Sequence, residues 1–194
     1  MLQEAAVFYR RNLPHWHPEG QALFITWRLY GSVPAPLRSR LPRKRKLTAG
    51  ERFVAEDRAF DKAEAGPLWL KDPRIARIVA ETLERGDREL GQYILYAFAI
   101  MANHVHALLE PRAPLRRITN GIKGVTARAA NRLLKRTGRR FWQDESFDHW
   151  VRDAAEFERI RRYIEQNPVA AGLVEKPEDW PWSSAARRFA PERS

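Results

Sequence analysis

The stretch that most constrains this chain runs from Tyr93 to Glu110, YILYAFAIMANHVHALLE. Tyr93 to Met101 is a nearly unbroken apolar run, rich in strand formers and without a 3.6-residue period, so it reads as a buried β-strand. Ala102-Asn103 then supplies a tight turn, where asparagine tolerates a left-handed backbone. The chain returns as His104-Val105-His106-Ala107-Leu108-Leu109. Side chains alternate faces along a strand, so His104 and His106 project the same way, with Cα atoms roughly 6.5–7 Å apart. Two imidazoles so placed can converge on one metal ion. The bland alternative is a pair of packed or surface histidines, the commoner fate of His-x-His.

At 194 residues the chain fits one globular domain, 1–194, and 44% hydrophobic content with seven tryptophans supplies a core. Thirty-five Lys and Arg against 24 Asp and Glu leave a formal charge of +11. That excess points to an acidic partner, nucleic acid before an anionic membrane surface. No apolar run approaches the ~20 residues that span a bilayer. No apolar h-region follows Met1, which argues against secretion. With no cysteine, a cytoplasmic setting is expected, and any metal must be held by nitrogen and oxygen ligands.

Ala22 to Tyr30 is another strand candidate. His15 and His17 form a second His-x-His pair beside Pro14 and Pro18 and are expected in a loop. A basic loop or insert is expected around 31–66, where Arg43, Lys44, Arg45 and Lys46 crowd together as a candidate phosphate-contacting arm. Within it, 51–64 reads as an exposed helix. Asp72-Pro73 opens the next helix, with Ile75, Ile78, Val79, Thr82 and Leu83 at helical spacing up to Gly86.

Between Pro111 and Gln143 there are ten basic residues and no acid: Arg112, Arg116, Arg117, Lys123, Arg128, Arg132, Lys135, Arg136, Arg139 and Arg140. Leu115, Ile118, Ile122, Val125, Ala129 and Leu133 mark one helical stripe through them. A solvated helix would intersperse acids for i,i+4 pairing. Their absence points to a phosphate-facing helix. Residues 140–152 read as strand and turn. Asp153 then caps a helix, with Glu156 completing a capping box, and Phe157, Ile160 and Ile164 as its buried stripe. Tyr163 and Asn167 share the flank of that stripe, and Pro168 is expected to end or kink the helix. The tail, 175–194, carries Trp180-Pro-Trp-Ser-Ser184 and reads as a packing cap.

Metal-dependent phosphoryl transfer needs a nucleophile, an electrophilic stabiliser and positioning. His104 and His106 could hold a divalent ion, Mg²⁺ or Mn²⁺. A helix packed on that sheet face could bring Tyr163 as nucleophile and Asn167 as a third ligand. Gln166 competes with Asn167, but one helical step turns it away from Tyr163. The alternative for Tyr163 is a half-buried helix aromatic with its hydroxyl at the rim.

Residues 101–111, MANHVHALLEP, resemble the HUH motif of single-tyrosine transposases. Residues 162–174, RYIEQNPVAAGLV, followed by WPWSS at 180–184, are similar to the tyrosine helix and tail of the REP-associated tyrosine transposases. Gly121-Ile-Lys-Gly124, the aromatic run 141–153 and the opening around His15 to Arg28 also match that family. Ala102 departs from it, since relatives usually carry proline there. The resemblance implies an α+β, ferredoxin-like fold, a central antiparallel sheet with helices packed mainly on one face. It implies divalent-metal-dependent nicking and joining of single-stranded, hairpin-forming DNA. His104, His106 and Asn167 would then be metal ligands and Tyr163 the nucleophile. A bacterial, nucleoid-associated setting goes with it. Relatives in the wider superfamily exchange tyrosine helices between subunits, so monomer and homodimer both stay open.

Two other readings remain. A non-catalytic nucleic-acid-binding module of ferredoxin-like fold would stack bases on Trp27, Tyr30 and Phe141. A metal-dependent hydrolase would use activated water and tolerate the loss of the Tyr163 hydroxyl.

Overall fold

The computed structural model describes residues 20–32 and 66–188. In chain order these form β1 (Leu23–Leu29), a 3₁₀ turn (Trp69–Lys71), α1 (Pro73–Arg88), β2 (Tyr93–Ile100), β3 (His104–Pro111), α2 (Leu115–Leu133), β4 (Trp142–Trp150), α3 (Ala154–Ala170), a second 3₁₀ turn (Pro177–Asp179) and a short α4 (Ser184–Arg188). The strands lie in the order β2-β3-β1-β4, every neighbouring pair antiparallel. This is the β-α-β-β-α-β path of a ferredoxin-like sheet, as expected. His15, His17, Arg43, Lys44, Arg45, Lys46 and the helix expected over 51–64 lie outside the described residues.

Strand alternation divides the core in two. Leu23, Ile25, Trp27 and Leu29 of β1, with Val105, Ala107 and Leu109 of β3, meet α1 and α2 on one face. Phe24, Leu108, Ala97 and Ala99 meet α3 through Ile164 on the other. A bulge at Tyr96, where the β2–β3 register shifts between Leu95 and Ala97, swaps the parity of β2 midway. Two long helices thus cover one face and α3 covers the opposite one.

α1 begins as its sequence dictates: Asp72 accepts from the Arg74 backbone N–H at 2.9 Å and Pro73 takes the first turn. Ile75, Val79 and Leu83 are fully buried, each contributing about 1.5–3 kcal/mol. Gly86 lies under the Tyr93 ring, whose hydroxyl donates to the Leu83 carbonyl at 2.8 Å, and a Cβ there would land on the phenol. A mid-helix Gly→Ala change ordinarily gains about 1 kcal/mol. Gly86→Ala is expected instead to cost about 1–3 kcal/mol through overpacking, read as a lower denaturant midpoint. A stabilised variant would contradict this packing.

Three expectations need correction. The α2 stripe follows Leu115, Ile118, Ile122, Thr126 and Ala130, whereas Val125 and Leu133 are 43% and 39% exposed. Thr126 can be buried because its hydroxyl donates to the Ile122 carbonyl at 2.7 Å and accepts from Trp142 Nε1 at 2.8 Å. Asn103 does not use a left-handed backbone: Lys135 is the one non-glycine described residue with positive φ, 53°. There it closes α2, with the Arg136 N–H bonded to the Asn131 carbonyl at 2.8 Å, a Schellman-type end. Pro168 sits inside the last turn of α3, which continues to Ala170.

The tail lies along the outer edge of β2. The Ile100 N–H donates to the Trp182 carbonyl at 2.9 Å, and Trp180 Nε1 donates to the Ile100 carbonyl at 3.0 Å. Such cover blunts an edge strand that could otherwise pair with another chain. Ser184 reaches from the same segment to Glu165 Oε1 of α3, 3.1 Å away.

Candidate active site

His104 opens β3, and both His104 and His106 are fully buried on the α3 face. Their Nε2 atoms face each other at 3.0 Å. Each ring is held from behind. Asn103 Oδ1 lies 2.6 Å from His104 Nδ1, an amide orientation that suits a proton on Nδ1 and a lone pair on Nε2. Thr26 Oγ1 lies 2.7 Å from His106 Nδ1. A hydroxyl both donates and accepts, so Thr26 permits either tautomer of His106: Nε2–H donating to His104, or Nε2 bare with Nδ1–H on Thr26.

α3 delivers the rest. Asn167 is buried with Nδ2 3.3 Å from His106 Nε2, and a half-turn of its amide would present Oδ1 there instead. The Tyr163 ring meets His106 edge-on at 5.8 Å between centroids and Phe24 at 6.2 Å, while Phe24 stacks on His106 at 5.7 Å. Gln166, the rival amide, is exposed. Helical i,i+4 spacing therefore brings Tyr163 and Asn167 to the histidine pair within one chain.

The capping of α3 positions that helix. Asp153 accepts from the Glu156 N–H at 2.7 Å, and Glu156 reaches back to the Arg152 N–H at 2.8 Å, one residue beyond the expected reciprocal bond. Burial pushes the Glu156 carboxyl up, but the Arg152 N–H and His149 outweigh it and hold its pKa below the usual value. Glu165 ties to Arg161 at 2.9 Å as well as to Ser184.

The basic helix lies elsewhere. α2 packs on the sheet face opposite the histidines. Arg112, Arg116, Arg117, Arg128, Arg132, Lys135, Arg139 and Arg140 are exposed around it. Two others already have engagements. The Arg136 guanidinium stacks 3.7 Å over the Trp69 ring. Lys123 Nζ donates to the Gln143 carbonyl, the Asp144 carbonyl and Ser146 Oγ at 3.0, 3.2 and 2.7 Å, which uses all three of its hydrogens. Burial pulls its pKa down to about 8, against the opposing pull of Asp144.

Sequence reasoning missed Thr26, Phe24 and the ring-holding role of Asn103. Thr26 becomes visible only through the β1–β3 register, which sets it opposite His106. Asn103, adjacent to His104, carried a readable signal that was absorbed into the turn.

Among the described residues no group of three or more His, Cys, Asp or Glu gathers around a possible metal. The donors at hand are two imidazoles and one amide. Two imidazole Nε2 atoms 3.0 Å apart are close enough for one divalent ion to be held by both. Their outward nitrogens are held as metal-bound histidines usually are.

Fold and site together define an α+β protein of ferredoxin-like path that gathers two histidines, an amide and a tyrosine over one sheet face. The family model of IS200-like transposases matches residues 71–167, half the chain, and the protein belongs to that family. A solved REP-associated tyrosine transposase bound to a REP hairpin is 19% identical, with a TM-score of 0.58 over 94% of this chain and 87% of that one, and shares the fold. A transposase-like protein of Deinococcus radiodurans R1 is 13% identical over 81% of this chain and 97% of its own, with a TM-score of 0.40. No curated protein matches the chain in sequence. No described helix is long and apolar enough to cross a membrane.

Proposed function

We propose that this transposase-family protein nicks and rejoins single-stranded DNA beside hairpin-forming elements, through a covalent phosphotyrosine at Tyr163. The observation that carries the reading is the meeting of Tyr163, Asn167 and two back-braced histidines in one chain. His104 and His106 would hold a divalent ion, with Asn167 turned to offer Oδ1. When bound, the ion supplies Lewis-acid polarisation of the scissile phosphate. Two nitrogen donors favour Mn²⁺ over Mg²⁺, which prefers all-oxygen surroundings.

The phenol of Tyr163 gives up its proton as its oxygen attacks phosphorus, the P–O3′ bond breaks, and the departing 3′ oxygen takes up a proton, so the step is proton-neutral overall. The DNA is left as a 5′-phosphotyrosine ester and a free 3′-OH. Rejoining reverses the step: an incoming 3′-OH displaces the phenol, a better leaving group than an alkoxide because its pKa is near 10. The solved relative's REP hairpin supports hairpin DNA as the partner, and the exposed arginines around α2 supply its phosphate contacts. A cytoplasmic location in a bacterium accompanies the reading.

Base stacking on the sheet is the weaker reading. Trp27 and Phe141 are 3% and 1% exposed, and exposed Tyr30 already faces the Arg140 guanidinium at 5.4 Å. A hydrolase using metal-activated water has no carboxylate cluster to build on among the described residues.

The reading is tested with hairpin-bearing single strands labelled 3′ of the cut. A labelled protein band should form on a denaturing gel with Mn²⁺, and chelator should abolish it. Affinity should fall with salt at a slope of about −0.7 per neutralised phosphate. Absence of the band, with intact DNA in Mn²⁺, would remove the transferase assignment.

A further inference from the structure

The exposed arginines around α2 stand on the far side of the sheet from Tyr163. They suit the body of a DNA partner, but the sheet separates them from a strand lying beside Tyr163. Such a strand carries a negative phosphodiester on either side of the one attacked. α3, which presents the tyrosine, is the element placed to face those two groups. Between Ala154 and Ala170 it has three acids, Glu156, Glu158 and Glu165, and three arginines, Arg159, Arg161 and Arg162. Formally they cancel, yet their pairing is uneven. Arg161 takes two of the acids at once: Nε and Nη2 donate to Glu158 at 3.0 and 2.7 Å, and Nη1 donates to Glu165 at 2.9 Å. Glu156 is engaged at the start of the helix by the Arg152 N–H and His149. Arg159 and Arg162 are exposed and meet no carboxylate among the described residues.

Helical geometry places both beside the tyrosine. Arg159 is four residues before Tyr163, so their Cβ atoms lie about 5–6 Å apart. Four residues overshoot a turn by about 40°, which sets Arg159 outward of half-buried Tyr163 while still on its flank. Long side chains lean toward the helix N-terminus, so the Tyr163 ring tilts over the turn that Arg159 occupies. Arg162 follows three residues after Arg159, and exposed Gln166 four after Arg162. With Ala155 and Ala170 these make an outer flank that carries two positive charges and no acid. An ordinary solvated flank would interleave acids and bases at i,i+4. Glu158 stands at that spacing before Arg162 but is turned to Arg161 instead.

We propose that Arg159 and Arg162 grip the phosphodiester next to the scissile one, so that the cut strand is held on the same helix that presents Tyr163. A guanidinium matches two phosphate oxygens with paired N–H donors and keeps its charge at any working pH. Nucleophile and grip on one rigid helix fix the scissile phosphate relative to the phenol oxygen, where a misplacement of about 1 Å can cost about a hundredfold in rate. The two arginines take no part in bond making; they position the strand. The α2 arginines hold the bulk of the DNA, and this pair sets its register in the site. The inference rests on the Tyr163 reading above and adds the residues that seat the strand there.

Single-turnover adduct formation by the full chain, with Mn²⁺ and a hairpin-bearing strand, tests it. The same strand is made with one neutral methylphosphonate at the phosphate on either side of the cut. One of the two replacements should slow the unaltered protein by about tenfold to a hundredfold. Arg159→Gln/Arg162→Gln should slow the natural strand by a similar factor. The sensitive methylphosphonate should then add nothing, as expected of two changes that remove one contact. Arg159→Lys/Arg162→Lys keeps both charges and should recover most of the rate. A glutamine variant that forms adduct at the unaltered rate overturns the inference. So do effects that multiply, because mere damage to α3 would slow both strands alike. An unaltered protein that forms no adduct removes the Tyr163 reading and this inference with it. Adduct formation indifferent to both changes removes the arginine grip alone.

Discussion

Tyr163→Phe is expected to abolish the covalent protein–DNA adduct while leaving hairpin binding within experimental error of the parent. The substitution removes one oxygen and keeps the ring, so the edge-on contacts with His106 and Phe24 persist and α3 keeps its seat through Ile164. Phosphate contacts supply most of the affinity in such complexes, and the candidates for them lie on the far face of the sheet. Loss of a covalent nucleophile removes the pathway outright. The measurement is a pair: adduct on a denaturing gel, and affinity by anisotropy on the same DNA. Strand cleavage that persists in Tyr163→Phe without adduct would assign the attack to water.

His104→Ala and His106→Ala should each eliminate adduct formation, and each should reduce Mn²⁺ binding measured by calorimetry on the DNA-free protein. Both residues are fully buried, so truncation also leaves a cavity and strands the Asn103 or Thr26 partner. Thermal unfolding of each variant therefore accompanies the binding measurement. The sharper arm is Thr26→Val, close to isosteric. It removes the hydroxyl 2.7 Å from His106 Nδ1 without touching a ligand nitrogen. Loss of such an outer partner typically costs tenfold to a hundredfold in metal affinity, about 1.4–2.7 kcal/mol. Thr26→Ser should restore it. Asn167→Ala should be milder than either histidine change, because water can take the place of a neutral amide. Undiminished Mn²⁺ binding in both histidine variants would remove the metal from this site.

The hairpin carrying the histidines was legible because period-two alternation is local: Val105 and Ala107 point to one core, His104 and His106 to the other. Tyr163 and Asn167 were legible for the same reason at helical spacing. What escaped depends on contacts between distant segments. Thr26 matters only because β1 pairs with β3 in one register. Thr126 takes the core place expected of Val125 because Trp142 gives its hydroxyl a donor. Lys123 looked like one more phosphate contact, yet its chemistry is spent on the β4 backbone 20 and 21 residues away in sequence.

The sheet also acts as a partition. Its α3 face holds the tyrosine and the histidine pair, and its α2 face holds the exposed arginines around α2. Under the proposed function, substitutions on α2 would change which DNA is held without altering any side chain beside the Tyr163 ring. The two properties would then be free to drift at different rates, and a lineage built on this frame could acquire new target elements while its proposed chemistry stayed as it was. A strand engaged on both sides must round the border of the sheet, and the stretch of DNA doing so is the part whose length, rather than sequence, the protein would constrain.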